Sequence, residues 1–222
     1  MSFGVSPERP ATRDGDRRRQ IEAAAGVLFR ERGYVGTSVR QIAQALDLQG
    51  ASLYSHVASK EDVLWSIVQR TADRFEAVQA QAAGLGLPAD RLRALIAAHV
   101  AVVATEREHA AVFLHEWRFL GPQRRAEMLR RRDAYEATVR ELIAQGIADG
   151  SLRPVDPRLT AAALLSALNG IAAWYRPDGP DDPATIGQAY ADLFLRGLAA
   201  PQKCRPEQSA PQQSAPEEKD VR

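Results

Sequence analysis

The sequence predicts an all-α fold of about nine helices, and three observations carry that expectation. No stretch alternates apolar and polar residues with the period of two that a half-buried strand requires. Apolar residues recur instead at three- and four-residue spacing along most of the chain, which puts them on one face of a helix. These recurrences stop at turn-forming clusters: Gly33, Gly84-Leu85-Gly86-Leu87-Pro88, Gly121-Pro122, Gly150 and Arg176-Pro177-Asp178-Gly179-Pro180-Asp181. With 222 residues, 45% of them hydrophobic, the chain can bury one sizeable core or two small ones.

Residues 1–15 hold prolines, glycines and charges with almost no apolar side chain, so a flexible arm is expected there. A first helix is expected from near Asp16 to Arg32, with Ile21, Ala24, Ala25, Leu28 and Phe29 buried and Gly33 as its stop. Val39, Ile42, Ala43 and Leu46 then share one face of a two-turn helix that Thr37 or Ser38 can cap, leaving Arg40, Gln41, Gln44 and Asp47 on the other. Gln49-Gly50-Ala51-Ser52 supplies a small, polar turn into another short helix, with Leu53 inward and Ser52, Tyr54, Ser55 and His56 largely outward. Two helices joined by so short a turn form a helix-turn-helix, whose second member can lie in a DNA major groove.

Further helices are expected from Lys60 to about Ala83, Pro88 to Ala104, Thr105 to Leu120, Pro122 to Asp149, Asp156 to Ala173 and Pro183 to Ala199. The last two are rich in Ala and Leu. Their apolar faces suit either the interior of a bundle or a helix pair that packs against a second copy of the chain. From residue 200 to 222 the QSAP sequence occurs twice among Gln, Pro and charges, a composition that cannot bury a core and predicts disorder.

Net charge is only +1, which argues against a polycation. Residues 1–60 nevertheless hold nine Lys or Arg against six Asp or Glu, with Arg9, Arg13, Arg17, Arg18 and Arg19 in or beside the arm. That basic footprint suits a protein that reads DNA specifically. The single cysteine, Cys204, cannot close an internal disulfide. With no long apolar run and no secretory signal at the N-terminus, a cytoplasmic protein without a membrane partner is expected.

Phe29-Arg30-Glu31-Arg32-Gly33-Tyr34, Gly36-Thr37-Ser38-Val39-Arg40-Gln41-Ile42-Ala43, Leu53-Tyr54-Ser55-His56-Val57 and Ser59-Lys60-Glu61-Asp62-Val63-Leu64 together resemble the DNA-binding domain of the TetR family of bacterial transcriptional repressors. The resemblance covers residues 17–65. Ala51 stands where that family usually has glycine, and Val57 where it usually has phenylalanine. The resemblance implies phosphate contacts at Thr37, Tyr54, His56 and Lys60, all of which carry donors suited to a backbone oxygen. Base reading then falls to Gln49, Gly50, Ala51, Ser52 and Ser55, with Arg40 from the preceding helix. Tyr54 is also a candidate packing tyrosine.

Six arginines fall among the fifteen residues from Arg118 to Arg132. Arg125 and Arg132 lie on or beside the helix stripe of Met128, Tyr135, Val139 and Leu142, and a guanidinium on an apolar stripe needs an anion. Glu136 within the helix or Glu116 across helices can supply it, and so can a ligand carboxylate or phosphate, with Trp117, Phe119, Trp174 and Tyr175 as apolar walls. His99, His109 and His115 lack metal-ligand spacing, and nothing marks a nucleophile elbow, phosphate loop or catalytic carboxylate pair, so neither a metal site nor an enzyme is expected.

His115-Glu116-Trp117-Arg118, Arg132-Asp133-Ala134-Tyr135-Glu136, Ala167-Leu168-Asn169-Gly170, Trp174-Tyr175-Arg176-Pro177-Asp178-Gly179 and Tyr190-Ala191-Asp192 resemble the ligand domain of TetR-type regulators of fatty-acid and steroid-ring degradation. Those regulators sense acyl-CoA thioesters. The resemblance implies an arm at 1–15, a helix-turn-helix domain at 16–60, a ligand-binding and dimerisation domain at 61–199 and a tail at 200–222. It further implies a pocket lined by Trp117, Arg118, Arg125, Met128, Arg132, Tyr135, Asn169 and Trp174. A homodimer interface follows at Leu165, Leu168, Tyr190, Leu193 and Phe194. The function so implied is a repressor that binds a palindromic double-stranded operator as a dimer and is released by a small-molecule effector, with no cofactor. A ligand-independent DNA-binding or helical interaction protein, or a sensor of another apolar compound, is the alternative.

Overall fold

A computed structural model of the chain describes residues 13–84 and 86–199. Among them are nine α-helices: α1 (Arg13–Arg32), α2 (Val39–Gln44), α3 (Gly50–Tyr54), α4 (Lys60–Ala83), α5 (Pro88–Thr105), α6 (Arg107–His115), α7 (Pro122–Ala148), α8 (Pro157–Trp174) and α9 (Pro183–Leu198). A 3-10 turn, Trp117–Phe119, lies between α6 and α7. The sole extended pairing among the described residues is one bridge between Leu152 and Ala199. The expected arm mostly lies outside the described residues, but α1 starts at Arg13, so positions 13–15 join the helix. The tail from residue 200, including Cys204, also lies outside them.

Helices α1 to α3 close over Ile21, Phe29, Ile42 and Leu53, all essentially without solvent contact. The first turn of α4 is capped by Ser59, whose side chain accepts the Asp62 amide and is replaced at a cost of about 1 kcal/mol in such positions. From that cap α4 runs out of the first domain, burying Val63, Leu64, Ile67, Val68 and Phe75. Helix α5 forms the axis of the second half, with Leu92, Leu95, Ile96, Val100 and Val103 buried against α4, α7, α8 and α9. It meets α9 closely: a β-carbon at Gly187 would sit 3.1 Å from the Ala97 α-carbon. Arg93 and Asp192 pair across the same contact at 2.5 Å.

The single helix expected over 105–120 divides. Helix α6 ends at His115 with Glu116 as its C-cap, and the 3-10 turn carries the chain to Leu120, whose backbone is extended. The division has a tertiary cause, because Glu116 accepts the Tyr34 amide at 2.9 Å and Phe119 stacks on the Tyr34 ring. A continuous helix would carry those two side chains away from the first domain.

Candidate DNA-reading face and ligand cavity

Ser38 opens α2 with a capping box: its hydroxyl accepts the Gln41 amide while Gln41 Oε1 accepts the Ser38 amide. The α2 end is closed by Asp47 at φ +54°, with Leu48 N–H donating to Ala43 O at 2.9 Å, a left-handed stop that Asp tolerates better than most side chains. This turn aims α3 outward. Arg40, Gln49, Ser52, Tyr54 and Ser55 are exposed, and Ser55 Oγ donates to Ser52 O at 2.7 Å. His56 is half-buried beside them. Gly50 and Ala51 occupy the first positions of α3.

Two phosphate-contact expectations change. Thr37 is buried and its hydroxyl donates to Leu28 O and Gly33 O, so it ties α1 to the turn before α2 and cannot serve as a clamp. Lys60 Nζ donates to Tyr34 O at 2.9 Å and Thr37 O at 2.8 Å, and lies 4.2 Å from the centre of the Tyr34 ring. Partial burial lowers its pKa from the ordinary lysine value. Its ammonium is therefore mainly a strut between α4 and the α1–α2 turn, with one of three N–H donors left for another partner.

In the second half a cavity of about 280 Å³ opens between α4, α5, α6, α7 and α8. Phe75, Phe113 and Leu165 make much of its apolar wall. Besides charged side chains that include Glu76, Asp133 and Glu136, its polar lining holds a chain from three helices: Tyr135 Oη lies 3.0 Å from His99 Nδ1, and His99 Nε2 lies 3.2 Å from Asn169 Oδ1. Because Asn169 Oδ1 only accepts, Nε2 carries the ring proton and Tyr135 donates to Nδ1. Burial pulls His99 down to about 4, so the imidazole is neutral, and burial also pushes the Tyr135 phenol up.

Arg132 lines the same cavity and stands 5.4 Å from the centres of both the Phe113 and Trp117 rings. Among the described residues no carboxylate pairs with it; desolvation lowers its pKa, opposed only by the charge of Asp133. Neither expected internal partner serves it, since Glu116 holds the Tyr34 amide and Glu136 only borders the cavity. Its neighbour Arg131 contrasts with it, pairing with Asp73 and Glu76 of α4 at 2.6 Å each.

The expected pocket set divides accordingly. Arg132, Tyr135 and Asn169 line the cavity. Trp117 supports Arg132 from behind without lining it, and Met128 is wholly buried in the core. Arg118 is exposed and donates to His115 O, Arg125 is exposed over Trp117, and Trp174 is 49% exposed at the end of α8. Sequence reasoning missed Phe75, Phe113 and His99 as cavity residues; the signal for His99 was a polar residue on the apolar stripe of α5. The interface set divides as well. Leu168 is fully buried within the chain, and Leu165 faces the cavity. Leu193 is 69% exposed, with Leu159 at 56%, while Tyr190 and Phe194 are half-buried.

The cavity and the helix-turn-helix are joined by the segment that interrupted the expected helix. Trp117, under Arg132, heads the 3-10 turn; Glu116 before it and Phe119 within it both hold Tyr34, which in turn holds Lys60. At the start of α7, Arg124 reaches Glu61 at 3.3 Å and Asp62 at 2.5 Å, and the Gly121 amide donates to Glu61. The Arg124 hydrogen bond holds the Asp62 carboxyl below its ordinary range.

Residues 21–67 match the profile of the bacterial regulatory proteins of the tetR family, and residues 86–198 match the tetracyclin repressor-like C-terminal domain. The chain is 27% identical over 197 residues to the HTH-type transcriptional repressor KstR2 of Mycobacterium tuberculosis, covering 86% of this chain and 97% of that protein. The structure of KstR2 superposes with a TM-score of 0.80, over 83% of this chain and 96% of that one. PfmR of Thermus thermophilus, a TetR family transcriptional regulator, is 36% identical, with a TM-score of 0.74 over 81% of this chain and 98% of its own. AibR, solved in complex with isovaleryl coenzyme A and operator DNA, is 32% identical, with a TM-score of 0.72 over 83% of this chain and 99% of its own. No group of His, Cys, Asp and Glu suited to a metal ion occurs among the described residues, and no helix there is long and apolar enough to cross a membrane. An exposed helix-turn-helix face, a cavity behind it and profile matches to both halves make this chain a DNA-binding transcriptional regulator of the tetR family.

Proposed function

We propose that this regulator is a cytoplasmic repressor that binds a palindromic operator as a homodimer and is released when an acyl-CoA thioester occupies the cavity of each subunit. The observation that carries the effector class is Arg132, a partly buried guanidinium on the cavity wall with no carboxylate paired to it. A buried cation without an anion is costly, and an anionic ligand relieves that cost while gaining charge-assisted hydrogen bonds. The cavity, about 280 Å³, is at the small end for ligand sites, so it takes the acyl group, and Arg132 on its wall meets the phosphate-bearing remainder where that leaves the cavity. The solved AibR complex, whose ligand is a short branched acyl-CoA, supports the same class.

DNA contact is assigned to Tyr54 and His56 for phosphates and to Arg40, Gln49, Gly50, Ala51, Ser52 and Ser55 for base edges. Pairing of two subunits is assigned to the exposed faces of α8 and α9 around Leu159, Tyr190, Leu193 and Phe194. Two recognition helices must sit about 34 to 36 Å apart to enter successive major grooves, so a ligand that changes this separation through α4 lowers operator affinity. No catalytic step or cofactor is needed. Operator capture from fragmented genomic DNA, followed by titration with acetyl-, isovaleryl-, hexanoyl- and palmitoyl-CoA, tests the reading. Release by at least one thioester is expected at concentrations that leave free CoA without effect. Operator binding indifferent to all of them would favour the ligand-independent alternative.

A further inference from the structure

The geometry points to an oxygenated acyl group as the effector: we infer that the polar wall formed by Tyr135, His99 and Asn169 reads a hydroxyl on the ligand's acyl part. The inference deepens the acyl-CoA reading and rests on it.

The cavity floor has more hydrogen-bonding capacity than a saturated acyl chain can use. The direction of the chain, Tyr135 to His99 to Asn169, consumes the Tyr135 proton, both ring nitrogens and Asn169 Oδ1. It leaves the Asn169 amide group with two donors and the Tyr135 oxygen with a free lone pair, and both residues line the cavity. A hydroxyl can accept from the first and donate to the second. A methylene placed there would strip water from both groups and return nothing, which is the condition under which a site rejects the analogue lacking the polar atom. Apolar rings stand directly beside this wall, with Phe75 4.6 Å from His99 and 5.3 Å from Phe113 between ring centres, while the charged side chains of the lining, Glu76, Arg131, Arg132, Asp133 and Glu136, come from α4 and α7. Arg132 on the same cavity serves the anionic side of the ligand, which leaves the uncharged wall for the acyl part.

Binding of paired thioesters to the full chain by isothermal titration tests this. One set is hexanoyl-CoA with 3-hydroxy- and 5-hydroxyhexanoyl-CoA; the other is cyclohexanecarbonyl-CoA with its 3- and 4-hydroxy counterparts. At least one hydroxylated member should bind about tenfold or more tightly than its parent. That preference should fall to within about threefold in both Tyr135→Phe and Asn169→Leu, whereas Arg132→Ala should weaken parent and hydroxylated member alike. Tyr135→Phe removes only one oxygen and keeps the test open where Asn169→Leu does not fold. Parents that bind as tightly as every hydroxylated member, or a preference that survives in Tyr135→Phe, would overturn the inference and leave the acyl-CoA reading intact. Binding of acetyl-, isovaleryl- or palmitoyl-CoA but of none of these six would overturn the inference alone, and absence of binding by all nine would overturn both.

Discussion

His99 shows how one side chain links the cavity to stability. Free in an unfolded chain it titrates near 6.5, but burial among Phe75, Tyr135 and Asn169 brings it to about 4 in the fold. Between those values the unfolded chain binds a proton that the folded chain refuses. Stability is therefore whole above pH 6.5 and is lost as pH falls toward 4. Urea unfolding should show wild type losing about 2 kcal/mol more than His99→Gln between pH 7.5 and 5.0. Other groups that titrate in this window are common to both proteins and cancel. Equal losses would mean that His99 is not held neutral. Arg132 makes the complementary case for a ligand. Arg132→Ala should raise the thioester concentration needed for half-release by about one to two powers of ten, the worth of a charge-assisted contact. The free protein should lose only about 1 kcal/mol, from the ring contacts with Phe113 and Trp117. A large loss in the free protein with an unchanged ligand-induced rise in melting temperature would remove Arg132 from the site. Thr37 and Lys60 teach the opposite lesson, because a residue type suited to phosphate is equally suited to capping buried carbonyls, and only tertiary structure shows which carbonyls lie within reach.

Helices were the most legible level of the sequence, since Gly and Pro at their ends and a three-to-four spacing within them are local properties. The helix that divided at Glu116 was illegible for a matching reason: its break answers to Tyr34, 82 residues away in sequence. Interface and core were confused on α8 for a third reason, since both faces of that helix are apolar. Leu168, at 0% exposure, is buried within the chain, whereas Leu159 faces outward at 56%. On α9, the exposed Leu193 should be the sharper probe of assembly than Leu168. Leu193→Glu is expected to give a folded monomer by light scattering with a melting temperature near that of a wild-type subunit at high dilution. Leu168→Glu should instead abolish cooperative unfolding, because it buries a charge with no partner. A dimeric Leu193→Glu protein would move the interface off this face.

Across the whole molecule, the question is how occupancy of a cavity in the second half changes a DNA-reading face in the first. A physical coupling requires an element that both sites bias, and the 3-10 turn qualifies by contact. Arg132 rests on Trp117 at one end of it, while Glu116 and Phe119 grip Tyr34 at the other, 2.9 Å from its amide and 5.6 Å between ring centres. Tyr34 then positions Lys60, the first residue of α4. A ligand anion that draws Arg132 off Trp117 loosens this grip without touching DNA contacts. The double variant Glu116→Ala, Phe119→Ala removes both holds on Tyr34 while leaving cavity and reading face in place. Its affinities for free thioester and for operator should each stay within about threefold of wild type, but the factor by which thioester weakens operator binding should fall at least about tenfold, a coupling loss of roughly 1.4 kcal/mol. Because coupling is reciprocal, thioester affinity measured on the operator-bound double variant should rise toward that of the free protein. The Arg124 contacts with Glu61 and Asp62 form a second route to the same turn of α4. Retention of full coupling in the double variant together with its loss in Arg124→Ala would transfer the linkage to that route, and retention in both would show that α4 is moved from the cavity side directly.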